Sequence, residues 1–203
     1  CHHWMLGMWP TKAQDELWQE NIDVLIASSV IYPAGYATKV KGGFQLSGRW
    51  PFCSGIDWSD YVMLGGIVHS EKNTEIDRRV FIVAKKDITI HETWDVSGLC
   101  GTGSKDSEIK DVFIQDHMTL AGVDMQNGNS PGSTINHTPL FSLPQAALFP
   151  HIIAVPIIGI AEGAYDYFVE TNKVATSTYN KSSISDYQAI QIKVASAAAA
   201  VTT

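Results

Sequence analysis

One serine in the first third of the chain lies close to several aromatic residues in sequence. Ser54 follows Trp50 and Phe52 in the segment RWPFCSGIDW, and Gly55 comes directly after it. Aromatic side chains give a binding site flat apolar walls, and a few placed polar groups fix the orientation of the ligand. The segment therefore predicts a site for a planar ligand with a polar edge. The structural alternative is a simple turn, because serine before glycine is common in turns.

The segment 101–104, GTGS, is a second candidate. Consecutive backbone N–H groups in such a segment could form an anion-binding nest. The segment lacks the lysine and the full glycine spacing of a phosphate loop or a dinucleotide fingerprint. A turn that joins two strands, or a flank of the planar-ligand site, explains it equally well.

Charge and cysteine content exclude several classes of function. The formal net charge is -7, and no basic cluster is denser than 78–79 or 85–86, so a nucleic-acid interface is not expected. Three cysteines, Cys1, Cys53 and Cys100, are too few and too scattered for a zinc site or a disulfide framework. This favours a reducing, cytoplasmic location.

The most apolar segment is 146–161, AALFPHIIAVPIIGIA. It is shorter than the roughly 20 residues that a membrane-spanning helix needs, and it contains two prolines. We expect a buried helix with a kinked entry and no membrane association.

The elements that position Ser54 are expected to be short strands. Turn residues separate seven alternating segments, which favours a compact β-barrel or sandwich: 24–28, 36–40, 44–50, 61–68, 79–84, 89–95 and 108–114.

Helical patterns flank this region, and the predicted fold class is α+β. Residues 1–21 read as the end of an N-terminal helical domain and 22–125 as a complete middle β-barrel domain for the ligand. Residues 126–142 read as a polar linker, and 143–203 as the first two helices of a C-terminal bundle. Two amphipathic helices do not close a core alone, so a fragment of a longer protein is expected.

Two motifs together resemble the acyl-CoA dehydrogenase superfamily: SGRWPFCSG at 47–55 and TWDVSGLCGTGS at 93–104. The chain is most similar to the flavin-dependent monooxygenase branch, the oxygenase components of two-component aromatic hydroxylases. Dehydrogenases of the superfamily carry Trp-x-Thr-Asn-Gly where this chain has Phe52-Cys53-Ser54-Gly55. They also carry a T-E-P-x-x-G-S-D loop where this chain has SSVIYPAG at 28–35.

The resemblance implies a reaction. Reduced FMN or FAD, supplied by a separate reductase, would form a C4a-hydroperoxide with O2 and ortho-hydroxylate a phenolic substrate. A homotetramer or homodimer assembled through the C-terminal helices is implied as well. Two alternatives remain: a dehydrogenase-like flavoenzyme that oxidises an acyl thioester, and an inactive partial chain.

The resemblance also implies site residues. Ser54 would place its hydroxyl at flavin N5, with Phe52, Cys53, Gly55 and Ser29 among the cofactor contacts. In the same comparison Ser29 would line the substrate pocket, and His3 would contact the phenol oxygen. A histidine on a late helix of the family has no counterpart in this chain.

Overall fold

The computed structural model describes residues 2–19, 21–69 and 76–202, without the side chain of residue 202. Two compact units are present, Cys1–Ala146 and Ala147–Thr203. The elements in chain order are α1 (His2–Leu6), α2 (Thr11–Trp18), β1 (Ile26–Ser29), β2 (Gly35–Val40), β3 (Gly43–Cys53), β4 (Tyr61–His69), β5 (Asp77–Ala84), β6 (Thr89–His91), β7 (Lys105–Gln115), β8 (Thr119–Ala121), α3 (Gly122–Asn127), α4 (Gln145–Val174) and α5 (Gln188–Thr202).

All eight strands belong to one sheet in the first unit. Its order is β6-β7-β3-β2-β4-β5-β8, and β1 pairs with β4 in parallel. The sequence predicted a compact barrel or sandwich. Within the described residues, the structure has a path of paired strands with two ends, at β6 and at β8. All seven predicted strands are present, although the one predicted at 89–95 ends at His91, and β8 is additional. Strand β8 has only three residues, too few to show an alternating pattern.

Trp50 occupies a slot made by glycines near the centre of this sheet. Gly35 and Gly48 lie opposite each other on β2 and β3. A Cβ atom on Gly35 would meet Cζ2 of Trp50 at 2.2 Å. The indole is fully buried, and its Nε1 donates to the carbonyl of Gly65 at 2.6 Å. The ring therefore fixes the middle of β3, only a few residues before Ser54.

The segment predicted as a linker packs inside the first unit. The N–H of Gly132 donates to the carbonyl of Met8 at 2.9 Å, and Nδ2 of Asn136 donates to the carbonyl of Gly7 at 2.7 Å. The residues around α1 are core residues of the same unit, since Met5, Leu6, Met8 and Trp9 are fully buried.

The second unit consists of α4 and α5 in the described residues, and the two predicted helices are confirmed. The prediction that α4 is buried is wrong for this chain, because none of its residues is buried. Two helices alone cover only part of each other's surface, so the apolar face stays exposed. By length and composition only, α4 could cross a membrane, but helices of soluble proteins pass the same test, so this is weak evidence.

Candidate active site

The C-terminal end of β3 contains a bulge that turns Phe52 outward. The register with β7 shifts between Trp50 and Cys53, and Phe52 has a φ of 59°, in the left-handed region. Trp50 and Cys53 are both fully buried, whereas Phe52 is 63% exposed. In a regular strand, residues 50 and 52 would lie on one face. The bulge breaks this alternation and places an aromatic ring on the surface.

Phe52 forms an exposed apolar cluster with residues of the 92–104 loop. Its ring meets Trp94 edge to face, with centroids 6.3 Å apart and planes at 88°. Nε1 of Trp94 donates to the carbonyl of Leu99 at 3.1 Å, and the Leu99 side chain is 71% exposed. Clustered exposed apolar side chains of this kind mark ligand or partner surfaces.

Ser54 lies directly beside this cluster and is exposed. The N–H of the next residue, Gly55, donates to the carbonyl of Thr102 at 2.8 Å, which fastens the 92–104 loop to the end of β3. Gly55 has a φ of 77°, and a Cβ added there would meet nothing within 4 Å, so its backbone angle rather than space favours glycine.

A chain of three hydroxyl groups begins at Ser54 and continues into the same loop. Oγ of Ser54 lies 2.7 Å from Oγ of Ser104, which lies 2.7 Å from Oγ1 of Thr102. The Thr102 hydroxyl then donates to the carbonyl of Leu99 at 2.9 Å. Ser104 is 5% exposed and lies between the other two groups. The GTGS segment therefore supplies side-chain partners for Ser54.

A second polar pair projects from the same face as Ser54. Ser28 on β1 forms an isolated antiparallel bridge with Ser54, and residues opposite each other in such a bridge point to one face. Nε2 of His2 lies 2.9 Å from Oγ of Ser28. Burial, with smaller contributions from the amino terminus and His3, lowers the pKa of His2 to about 4. The imidazole is therefore neutral at pH 7.

The chain is similar to known proteins. Residues 151–203 match the family model described as acyl-CoA dehydrogenase, C-terminal domain. The chain is 36% identical to the flavin-dependent monooxygenase, oxygenase subunit HsaA, of Rhodococcus jostii, over 83% of this chain and 44% of that protein. The crystal structure of 3-HSA hydroxylase from Rhodococcus superposes with a TM-score of 0.89 at 31% identity, over 99% of this chain and 50% of that one.

Residues 151–203 therefore match the C-terminal domain of acyl-CoA dehydrogenases, and the chain resembles oxygenase components of flavin-dependent monooxygenases. A further relative is named the FADH2-dependent resorcinol hydroxylase, oxygenase component, of Rhizobium, with 31% identity over 99% of this chain and 50% of that protein. The chain spans about half the length of the curated relatives that it matches.

The structure places the residues predicted from the superfamily resemblance in two groups. Phe52, Ser54 and Gly55 lie together at the bulge. His3 lies elsewhere: its Nε2 donates to the carbonyl of Val24 at 2.7 Å. Ser29 is 5% exposed, and its hydroxyl donates to the carbonyl of Pro51 at 2.7 Å.

The Cys53 side chain also points away from the exposed cluster. It is fully buried, and burial raises the pKa of its thiol to about 11. The thiol is therefore protonated and out of reach of a ligand that contacts Phe52 and Ser54.

Among the described residues, no group of three His, Cys, Asp or Glu side chains could hold a metal ion.

Sequence reasoning missed two polar residues near Ser54, namely His2 and Ser28, and it left the GTGS segment with Thr102 and Ser104 as either a turn or a flank of the site. Strand alternation shows that Ser28 and Ser29 must face opposite ways, but the sequence alone does not show which one faces the site. The Ser28–Ser54 bridge places Ser28 on the face of Ser54, and Nε2 of His2 contacts Ser28.

Proposed function

We propose that this chain supplies the flavin-facing and substrate-facing residues of an oxygenase component, which uses reduced flavin and O2 to ortho-hydroxylate a phenolic compound. One observation carries the proposal: an exposed Ser54 hydroxyl beside an exposed aromatic cluster, with the His2–Ser28 pair on the same face. The names of the relatives at 36% and 31% identity support the same activity.

The residues present fit a reduced flavin. Its ring system is flat and carries an N–H group at one edge, which matches the exposed Phe52 ring and the half-buried Trp94 ring beside a hydroxyl oxygen. When bound, reduced flavin supplies the two electrons that activate O2. One oxygen atom enters the substrate ring, and the other leaves as water.

The chain's own residues would contribute in two ways. Ser54 would hold the N–H proton of the flavin edge, while Phe52, Trp94 and Leu99 exclude water from it. The Ser28 hydroxyl can donate its proton to Nε2 of the neutral His2. Ser28 would then accept the proton of the substrate phenol as its own proton moves to the imidazole. Such general-base assistance makes the substrate ring more electron-rich.

The remaining parts of the proposal concern partners. No nicotinamide-binding fingerprint is present in the sequence, so we propose a separate reductase that delivers reduced FAD or reduced FMN. The name of the resorcinol hydroxylase favours FAD. We also propose a cytoplasmic location, since Cys53 and Cys100 are free thiols.

The activity is tested with the full chain, chemically reduced FAD or FMN, and ¹⁸O2. Resorcinol and 4-hydroxyphenylacetate are suitable first phenols. We expect one ¹⁸O atom in the aromatic product with at least one of the two flavins. Release of hydrogen peroxide alone with every phenol tried would contradict the proposal. Reduction of bound flavin by an acyl-CoA without oxygen would favour the dehydrogenase alternative.

His2→Gln is expected to lower the hydroxylation rate at least tenfold, because glutamine cannot take the proton that general-base assistance transfers. His3→Gln is the matched control, and its rate should stay within about threefold, since the His3 ring contacts the Val24 carbonyl and the Trp18 ring. Single-turnover rates with pre-bound reduced flavin measure both. The opposite ranking would favour His3 as the substrate contact.

The pH dependence provides a second readout of the same variants. A neutral imidazole acts as base only above its own pKa, which burial has lowered to about 4. The activity of the unmodified chain should therefore lose no base function between pH 7.5 and 5.5. A loss of rate with a midpoint near 6.5, absent from His2→Gln, would contradict this assignment.

We further propose that the exposed face of α4 packs against a second copy of the protein. Ile157 and Ile160 are 62% and 64% exposed, and added Cβ atoms on Gly159 and Gly163 would meet nothing within 4 Å. Small residues four positions apart allow close approach of another helix. We expect Ile157→Glu to reduce the sedimentation mass of the full chain, while Asp166→Asn leaves it unchanged. An unchanged mass for Ile157→Glu would contradict this interface.

A further inference from the structure

The three hydroxyl groups at the candidate site have a fixed direction of hydrogen bonding. Each hydroxyl has one proton to donate and two lone pairs to accept with. The carbonyl of Leu99 has no proton, so its 2.9 Å contact with Oγ1 of Thr102 requires that Thr102 donates. The only proton of the Thr102 hydroxyl is then used.

The direction follows along the chain of contacts. Since Thr102 has no second proton, the 2.7 Å contact between Thr102 and Ser104 requires that Ser104 donates. The 2.7 Å contact between Ser104 and Ser54 then requires that Ser54 donates. The exposed Ser54 oxygen is left with lone pairs only, and it faces the site as a hydrogen-bond acceptor. The reverse direction would leave two oxygens 2.9 Å apart with no proton between them.

The backbone around the three hydroxyls holds this order. Leu99 and Gly103 have φ values of 56° and 52°, and they lie on either side of the 3-10 turn Cys100–Thr102. The carbonyl of Thr102 accepts from the N–H of Gly55, next to Ser54. Both ends of the hydroxyl chain are therefore fixed to the same two segments, and the buried Ser104 lies between them.

We propose that Thr102 and Ser104 are positioning residues that fix Ser54 as a hydrogen-bond acceptor, so that the site selects a ligand edge carrying an N–H group. The inference rests on the proposed function. N5 of a flavin carries a proton in the reduced form and only a lone pair in the oxidised form. An acceptor at Ser54 therefore favours the reduced form and opposes the oxidised one.

The test measures the dissociation constants of reduced and oxidised FAD and FMN for the full chain, without oxygen or substrate. Thr102→Val keeps the shape of the side chain but removes the donor to Leu99. We expect Thr102→Val and Ser104→Ala to lower the ratio of oxidised to reduced dissociation constants about three- to tenfold, the value of one hydrogen bond. Thr102→Ser keeps the hydroxyl and should retain the ratio of the unmodified chain.

The outcomes separate the inference from the proposed function. If Ser54→Ala lowers the ratio while Thr102→Val and Ser104→Ala do not, the positioning role is overturned and the flavin site stands. If Thr102→Ser lowers the ratio as much as Thr102→Val, the effect comes from packing and the inference is overturned. If the unmodified chain does not bind reduced flavin, the proposed function fails, and the inference fails with it. Far-ultraviolet circular dichroism of each variant confirms that the fold is kept.

Discussion

Ser54→Ala is expected to divert most of the reduced flavin from hydroxylated product to hydrogen peroxide. The exposed Ser54 oxygen is the polar atom placed between the Phe52 cluster and the His2–Ser28 pair. Removing a placed hydrogen-bonding group from such a site costs about 3 kcal/mol of stabilisation, which corresponds to a hundredfold or larger change in the rate of the step it supports. The hydroxyl of Ser104 would also lose one of its two hydroxyl partners, which adds to the loss of order.

The measurement is the ratio of product to hydrogen peroxide per reduced flavin consumed. Ser59→Ala is a matched control, because the Ser59 hydroxyl is also near the end of β3 but donates only to the carbonyl of Ile56 in its own turn. We expect its product ratio to equal that of the unmodified chain. Equal ratios of product to hydrogen peroxide in Ser54→Ala and Ser59→Ala would remove Ser54 from the proposed chemistry, whatever happens to the total rate.

Gly48→Ala is expected to destabilise the first unit by about 3 kcal/mol or more, because overpacking against backbone leaves no rotamer that relieves it. An added Cβ would lie 2.4 Å from the carbonyl oxygen of Ala34, 2.7 Å from Cη2 of Trp50 and 2.8 Å from Cα of Gly35. Two of these three atoms are main-chain atoms of the neighbouring segment. The sheet must therefore separate between β2 and β3, or the Trp50 indole must leave its slot.

Urea unfolding followed by tryptophan fluorescence measures this loss. The matched control is Gly98→Ala, because a Cβ at Gly98 would meet nothing within 4 Å and its φ lies outside the left-handed region. Its unfolding free energy should change by less than about 1 kcal/mol, with a small gain possible from reduced chain entropy. Similar midpoints for Gly48→Ala and the unmodified chain would show that the slot is wider than its geometry indicates.

Much of the fold could be predicted because its signals are local. Alternating apolar residues bounded by turn residues located seven strands, and helical spacing located α4 and α5. The environment of α4 could not be predicted in this way, because an apolar pattern shows that a face is suitable for burial and does not show what covers it. Strand β8 was missed because three residues carry no period.

The candidate site could be predicted at Ser54 and Phe52, where aromatic and hydroxyl residues are neighbours in sequence. Ser28 could not be separated from Ser29 without the register of β1, because neighbouring residues on a strand differ only in the face they occupy. His2 could not be separated from His3, because the contact between His2 and Ser28 joins residues 26 positions apart. The role of Thr102 and Ser104 depended on the 2.7 Å contact between Ser54 and Ser104, which joins residues 50 positions apart and which no local pattern encodes.

Because Phe52 has a left-handed backbone conformation, the residue that is best for stability at this position differs from the one that is best for ligand binding. A non-glycine residue in that region costs about 1–2 kcal/mol relative to glycine, and here the residue is a bulky aromatic one. A laboratory selection for heat resistance alone would therefore enrich glycine or asparagine at position 52. Such variants would gain stability and lose the ring that the bulge presents, which is the usual form of a trade-off between stability and activity.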